Sequence, residues 1–200
     1  MTGTAKEKVC KVIRVLTVAP LLAFAALTIL YFAKPEVFAT GENTGLANYL
    51  FGVLFLTVFP LLAYPLQPIV PGFRGKGREG QRNLAILMAV IGYIGATIYA
   101  FAAGTPAGFR VVVLSYLFSG VLILVFNKVF HIRASGHACG VAGPVAYLLY
   151  FLGPVALGGV LLMAVVFWAS LTMRRHTLPQ LLTGALTSVA SIAFLMLILP

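Results

Sequence analysis

Long apolar runs separated by short polar segments form the main pattern of this chain. The runs occupy residues 15–32, 46–66, 84–103, 110–130, 140–173 and 179–199. A helix needs about 20 apolar residues to cross a hydrocarbon layer about 30 Å thick, and lipid offers no hydrogen-bond partner to a backbone that is not helical. The pattern therefore predicts an all-α fold, a polytopic transmembrane helical bundle that forms a single integral membrane domain over residues 1–200.

The number of spans depends on residues 140–173, an apolar run of 34 residues. This length is too great for one untilted crossing and barely enough for two. Gly153-Pro154 in its middle favours a turn between two helices, because both residue types end helices. The chain is therefore expected to have six spans, or seven if it turns back at Gly153.

Composition and charge support the membrane assignment and indicate an orientation. Hydrophobic residues make up 61% of the chain and charged residues 9%, whereas soluble chains carry about 25% charged residues. With seven spans, all Lys and Arg except Lys34 and Arg110 lie on the side of the basic tail, residues 1–14. The positive-inside rule then predicts a protein of the cell membrane with a cytoplasmic N-terminus. These cations flank apolar runs and face lipid headgroups, so membrane lipids are expected partners and nucleic acid is not.

Three polar islands interrupt the apolar runs. They are the basic island (residues 74–82), the serine-glycine-histidine island (residues 133–139) and the arginine-histidine island (residues 174–180). Pairs of predicted spans separate the islands, so all three are expected to reach the cytoplasmic face and to converge on one site. Arginines hold phosphate by forked hydrogen bonds, and a Ser-Gly turn before a helix presents backbone N–H groups to anions.

Two of the islands contain a histidine, His137 in one and His176 in the other. Two histidines beside a phosphate suggest a nucleophile and a general acid, the division of labour in phosphoryl transfer through a covalent intermediate. The chain has four acidic residues, all of them Glu, and only Glu79 lies in an island. A carboxylate-bound metal is therefore not expected.

The order and spacing of the three islands resemble the three-part signature of the type-2 phosphatidic acid phosphatase superfamily of membrane lipid phosphatases. The resemblance covers about residues 76–184, which would form a phosphatase-like core. It implies that His176 accepts the phosphoryl group and that His137 protonates the leaving alcohol, with no metal and no cofactor. It also implies phosphate-binding roles for Lys76, Arg82, Ser135, Gly136, Arg174 and Arg175.

The chain departs from the family pattern at several positions: the Lys76-to-Arg82 spacing is one residue short, and the usual residues are replaced by Asn83, Ala134, Ser170 and Gln180. Ser170 stands where the third motif usually has an arginine, and Arg174, one helical turn later, is expected to supply the missing guanidinium. Gln180 stands in place of the aspartate that orients the nucleophile. Its amide can accept a hydrogen bond from imidazole but stabilises an imidazolium less than a carboxylate does.

Three functions stay open on the sequence. The first is a membrane phosphatase that hydrolyses a lipid or isoprenoid phosphate or diphosphate through a phosphohistidine. The second is a diphosphate-cleaving prenyl transferase or terpene cyclase on the same scaffold, which the missing carboxylate at Gln180 favours. The third is a non-catalytic lipid-binding membrane protein. Apolar spans look alike for acyl and isoprenoid chains, so the lipid tail stays open, and so does the oligomeric state.

Overall fold

The computed structural model describes residues 4–41 and 44–199, and within these ranges the chain forms nine α-helices and no strand. The helices are α1 (Ala5–Leu16), α2 (Ala19–Ala33), α3 (Thr44–Val53), α4 (Phe59–Leu66), α5 (Gly77–Ala102), α6 (Ala107–Lys128), α7 (Gly136–Leu152), α8 (Gly158–Thr172) and α9 (Leu178–Ile198). A π-helical segment, Leu54–Val58, joins α3 to α4. The predicted all-α bundle is confirmed, and residues 1–3 of the predicted tail lie outside the described residues.

Helix length and hydropathy agree with a membrane bundle. Five of the described helical stretches are long and apolar enough to cross a membrane, and a sixth is obtained if α1 and α2, which meet at a 55° bend, form one broken span. The outer surface carries large exposed apolar side chains such as Phe32, Val155 and Leu197. Contiguous apolar surface of this kind is found where helices face lipid.

Helices α7 and α8 form an antiparallel hairpin that turns at Gly153. This glycine has a φ of 67°, a conformation that glycine adopts without steric cost. A short 3-10 segment, Gly153–Leu157, follows, and α8 then packs back along α7. A Cβ built at Gly159 would lie 2.9 Å from the side chain of Val145. The turn predicted from Gly153-Pro154 is therefore present, and the apolar stretch Gly136–Thr172, which counts as one stretch by length and hydropathy, consists of the two helices α7 and α8.

The chain before the first apolar helix differs from the prediction. A basic tail was expected up to residue 14 and a span from residue 15, but α1 begins at Ala5 and the apolar helix α2 begins only at Ala19. Thr4 and Glu7 cap α1 reciprocally, at 3.1 and 3.3 Å. Pro20 sits in the first turn of α2, where a missing N–H does no harm, and it cannot continue α1. The bend therefore follows from Pro20.

Helix α1 is amphipathic and lies against α8. The side chain of Cys10 is fully buried, whereas Val9, Val12 and Val15 on the other side are exposed. The Lys6 ammonium lies 5.8 Å from the centre of the Trp168 ring, within cation–π range. The sequence prediction counted the charges of this segment without testing its helical periodicity, and it is this periodicity that docks α1 on the bundle.

Small residues allow α7 to approach its neighbours closely at the end where the two histidine islands lie. Gly140 of α7 faces Ala19 of α2, and Gly184 of α9 faces the backbone of Ser135. A Cβ at either glycine would overlap these partners. Close backbone contact through small residues is the usual basis of helix packing in membranes.

Replacing Gly184 with Ala is expected to lower the melting temperature of the purified protein and to displace residue 135, because the added methyl group would meet the Ser135 carbonyl and not a movable side chain. Overpacking of this kind costs about 1–3 kcal/mol. Gly143→Ala is the matched control, since its Cβ would lie 3.7 Å from Ser188, an ordinary contact. Equal melting temperatures for the two variants would contradict the proposed close approach.

Candidate functional site

The serine-glycine-histidine and arginine-histidine islands meet at one end of the bundle. The backbone N–H of Ser135 donates to the backbone carbonyl of Gln180 at 2.9 Å. Ser135 is fully buried and caps α7, its hydroxyl accepting from the N–H of Ala138 at 3.2 Å. The backbone N–H is thus already used, and the hydroxyl hydrogen is the one group of Ser135 that remains for a phosphate. Gly136 follows, exposed at the beginning of α7.

Gln180 fixes the orientation and the tautomer of His176. Oε1 of Gln180 accepts from the backbone N–H of Thr177 at 3.2 Å, so this atom must be the amide oxygen and not the nitrogen. The same oxygen lies 3.1 Å from Nδ1 of His176. Because an amide oxygen can only accept, Nδ1 carries the hydrogen, and the lone pair of the neutral ring is on Nε2. This is the form in which an imidazole acts as a nucleophile.

Thr17 orients His137 in the same way from the junction of α1 and α2. The Thr17 hydroxyl donates to the carbonyl of Ile13 at 2.8 Å, so its hydrogen is used. Nε2 of His137 lies 3.2 Å from the Thr17 oxygen and must therefore be the donor in that contact. Nδ1 is left as the nitrogen of His137 that can exchange a proton with a ligand.

Sequence reasoning missed Arg14. Its Nη1 donates to the hydroxyl of Ser170 at 2.6 Å, and its guanidinium is partly buried between α1 and α8. Arg174, the residue expected to replace the guanidinium absent at Ser170, is exposed at the end of α8 with a φ of 49°. The helical spacing of Cys10, Arg14 and Thr17, which share the inward face of α1, is the signal that could have found this residue.

The remaining cations are distributed unevenly around the histidines. The charges that act on the His176 ring are those of Arg14, Arg133 and Arg82, and the last two side chains are exposed. Arg175 is also exposed, and its charge acts on Arg14. Lys76 is the exposed residue directly before α5, and its side chain makes no capping hydrogen bond. Hydrogen bonds thus join Ser135, Gln180 and His176, with Gly136 and His137 next to Ser135 in the chain, whereas no hydrogen bond within the described residues joins Lys76 or Arg174 to them.

The cations at this site form no ion pair within the described residues. Within the described residues the only ion pair is Lys34–Glu36, which follows α2 at the other end of that helix. In the same residues, no group of three His, Cys, Asp or Glu side chains is placed to hold a metal ion. Clustered guanidiniums repel one another, so the arrangement favours an anionic ligand over an empty site.

A chamber of about 140 Å³ lies between α5, α6, α7 and α9, and Gly136 is one of its lining residues. Its wall is mostly apolar with a few polar groups, among them Tyr93, Tyr116, Ser119, Cys139 and Ser188. Its volume is close to that of a cavity of about 150 Å³ that binds benzene. The chamber therefore has room for about six carbon atoms next to the cationic end of the bundle.

The surroundings of His176 lower the pKa of its ring below the ordinary 6.5. Partial burial is the largest cause, and the nearby charges of Arg14, Arg133 and Arg82 add to it, while the hydrogen bond to Gln180 acts in the opposite direction. A lower pKa means that the ring loses its proton at a lower pH. At pH 7 the neutral, nucleophilic form of His176 therefore predominates.

If neutral His176 is needed for turnover, the acid limb of the pH profile of kcat/KM is expected to lie below pH 6.5, because kcat/KM reports the pKa of the free enzyme. Activity would persist to lower pH than for an unperturbed imidazole and would fall only when the ring is protonated. The measurement is kcat/KM from about pH 4.5 to about pH 8, at intervals of about half a pH unit. A limb above pH 6.5 would contradict this environment for His176.

The fold and the site define a class: an all-α bundle of membrane type with two histidines and several arginines at one end. Comparison of the chain with family models, with curated proteins and with solved structures gives no match.

Proposed function

We propose that this protein is a membrane phosphatase that hydrolyses a lipid or isoprenoid phosphate or diphosphate through a phosphohistidine. The observation that carries the proposal is the His176 ring, whose Nδ1 donates to Gln180 and so leaves the lone pair on Nε2, and whose pKa is lowered by partial burial and by the guanidiniums of Arg14, Arg133 and Arg82, none of which forms an ion pair within the described residues. A nucleophilic nitrogen surrounded by positive charge suits attack on phosphorus, because the charge neutralises the phosphate oxygens that would otherwise repel the lone pair.

The proposed reaction has two steps. In the first, Nε2 of His176 attacks phosphorus and the P–O bond to the alcohol breaks, while His137, which enters this step as the imidazolium, gives the leaving oxygen the proton of its Nδ1. In the second, a water molecule attacks phosphorus, His137 takes its proton, and the N–P bond breaks to release phosphate. The N–H of Gly136, at the beginning of α7, and the guanidiniums hold the phosphate oxygens through both steps.

The chamber next to Gly136 suggests where the substrate tail begins. Its volume of about 140 Å³ accommodates one isoprene unit or the first carbons of an acyl chain. Its largely apolar wall stabilises such a group, and the rest of a long tail would lie among the helices and in the surrounding lipid. The head of the substrate would then meet His137 and His176 at the mouth of the chamber.

The test is phosphate release by the purified protein in detergent from phosphatidic acid, phosphatidylglycerol phosphate, and isoprenyl monophosphates and diphosphates. Release is expected to survive EDTA and to be inhibited by orthovanadate, which mimics the five-coordinate phosphorus of the transition state. Failure to release phosphate from the whole panel would reject the phosphatase. Anionic lipid binding without any turnover would instead support the non-catalytic lipid-binding protein.

A second candidate is a prenyl transferase or terpene cyclase that ionises an allylic diphosphate. Two observations favour it: the partner of His176 is the uncharged Gln180, and the rings of Tyr93 and Tyr116 in the chamber can stabilise a carbocation by cation–π attraction. Analysis of the organic product separates the two candidates. A simple alcohol identifies the phosphatase, and a cyclised or transferred prenyl group identifies the alternative.

We place the N-terminus and the site on the cytoplasmic side of the cell membrane, because the cations concentrate at this end of the bundle. Both native cysteines are buried, so labelling needs an introduced thiol at an exposed position such as Lys8. Labelling of a Lys8→Cys variant by an impermeant maleimide in intact cells would reverse the proposed orientation.

A further inference from the structure

Helix α1 holds a guanidinium inside the candidate site by several independent contacts. Cys10 is fully buried, Lys6 lies over the Trp168 ring, and Thr17 is hydrogen-bonded to His137. These contacts fix the inward face of α1 on both sides of Arg14. The position of Arg14 therefore follows from the packing of the helix and not from the reach of a long, free side chain.

Arg14 lacks the partner that a partly buried guanidinium normally has. Its contact in the described part of the chain is one hydrogen bond from Nη1 to the Ser170 hydroxyl, which carries no charge. A guanidinium has five N–H donors, and the neighbouring charge that acts on it is another cation, Arg175. Burial of a charge without an opposite charge is costly, so a structure that maintains this arrangement is expected to receive an anion.

The surroundings of Arg14 show which anion fits. Arg14 precedes Thr17, which contacts His137, by about one helical turn, and its partner Ser170 accepts from the backbone N–H of Arg175, the residue before His176. These contacts place the guanidinium next to both histidine segments. We propose that Arg14 binds the phosphate group of the substrate. Helix α1 is thus part of the site and does more than set the orientation of the protein in the membrane. The identity of the anion rests on the proposed phosphatase function, whereas the position of Arg14 does not.

The test replaces Arg14 with Gln, which keeps a hydrogen-bond donor for Ser170 but removes the charge. Binding of orthovanadate to the purified protein in detergent, measured by calorimetry, is expected to weaken by about 10- to 100-fold, because a charge-assisted hydrogen bond is lost. The kcat/KM for the best substrate is expected to fall by a similar factor or more. The acid limb of the pH profile is expected to move up, because one of the charges that lower the pKa of His176 is gone.

Two controls separate charge from structure. Lys11→Gln removes an exposed cation from the same helix, and it is expected to change vanadate binding by less than about twofold. Ser170→Ala removes the hydrogen bond that anchors the guanidinium but leaves the charge. If Arg14 only anchors α1, Ser170→Ala and Arg14→Gln will weaken vanadate binding to the same extent. If Arg14 binds the anion, Ser170→Ala will keep most of the affinity.

The outcomes distinguish this inference from the proposed function. Vanadate binding by wild type without phosphate release would reject the phosphatase, and the Arg14→Gln comparison would still decide the role of Arg14. Normal vanadate binding by Arg14→Gln would overturn the inference while leaving the phosphatase intact. If Arg14→Gln does not fold, Arg14→Met keeps the apolar stem of the side chain and removes the charge, and unchanged affinity in that variant overturns the inference equally.

Discussion

Replacing His176 with Asn is expected to lower kcat/KM for phosphate release by about 10³-fold or more, because no other group of the site can form the covalent intermediate. Nε2 is the nitrogen that carries the lone pair, since Nδ1 donates to Gln180. An Asn amide keeps a polar group at this position but has no nucleophilic nitrogen. The bundle should be unaffected, because His176 lies in the segment between α8 and α9.

The measurement is phosphate release from the best substrate of the panel, with melting temperature as the check on folding. His131→Asn is the matched control: His131 is exposed and has a φ of 56°, a backbone conformation that Asn adopts readily. That variant is expected to retain wild-type activity. Full activity in His176→Asn would exclude the phosphohistidine mechanism.

Replacing His137 with Asn is expected to reduce turnover in a way that depends on the leaving group. With a lipid alcohol, which leaves poorly as an alkoxide, loss of the general acid should lower kcat by about 10²- to 10⁴-fold. With p-nitrophenyl phosphate the leaving phenolate needs no proton, and the loss should be much smaller. His176→Asn is expected to be inactive toward both substrates, since it removes the nucleophile.

The comparison of the two substrates therefore assigns the roles of the two rings. Thr17→Val gives an intermediate case, because it removes the oxygen to which Nε2 of His137 donates while leaving the ring in place. Its activity should fall less than that of His137→Asn and with the same substrate dependence. An equal loss on both substrates for His137→Asn would contradict its assignment as the proton donor.

The parts of the fold that depend on local pattern could be predicted from the sequence. Apolar runs give helices wherever a membrane excludes water, and the conformation of Gly153 turns the chain for a local reason. The beginning of the first apolar helix was misplaced because Lys and Arg were read as a tail, although Pro20 and the spacing of Cys10 and Arg14 already indicate two helices. The sequence thus contains the local signal for a separate helix α1, but its basic charge favours the interpretation as a tail.

The site divides along the same line. Gln180 follows His176 by four residues, so their contact is close to a local property of the helix beginning, and the sequence identified the pair. Arg14 meets Ser170 across 156 positions. Such a contact depends on how α1 packs on α8: the helical spacing within α1 indicates that Arg14 faces inward, but it does not indicate which helix Arg14 meets. The sequence accordingly predicted Arg174, the nearest guanidinium along the chain, and the structure places Arg14 there.

The contacts that complete the site join distant parts of the chain: Thr17 reaches His137 across 120 positions, and Arg14 reaches Ser170 across 156. In α1 itself Cys10 is the buried residue and the outer side is exposed, so this short helix has few buried apolar contacts. Segments with few such contacts open at a lower free energy than the rest of a fold. On gradual heating or in harsh detergent, α1 should therefore detach while the other helices persist, and the protein should lose its anion affinity while its circular dichroism spectrum is still that of the folded bundle.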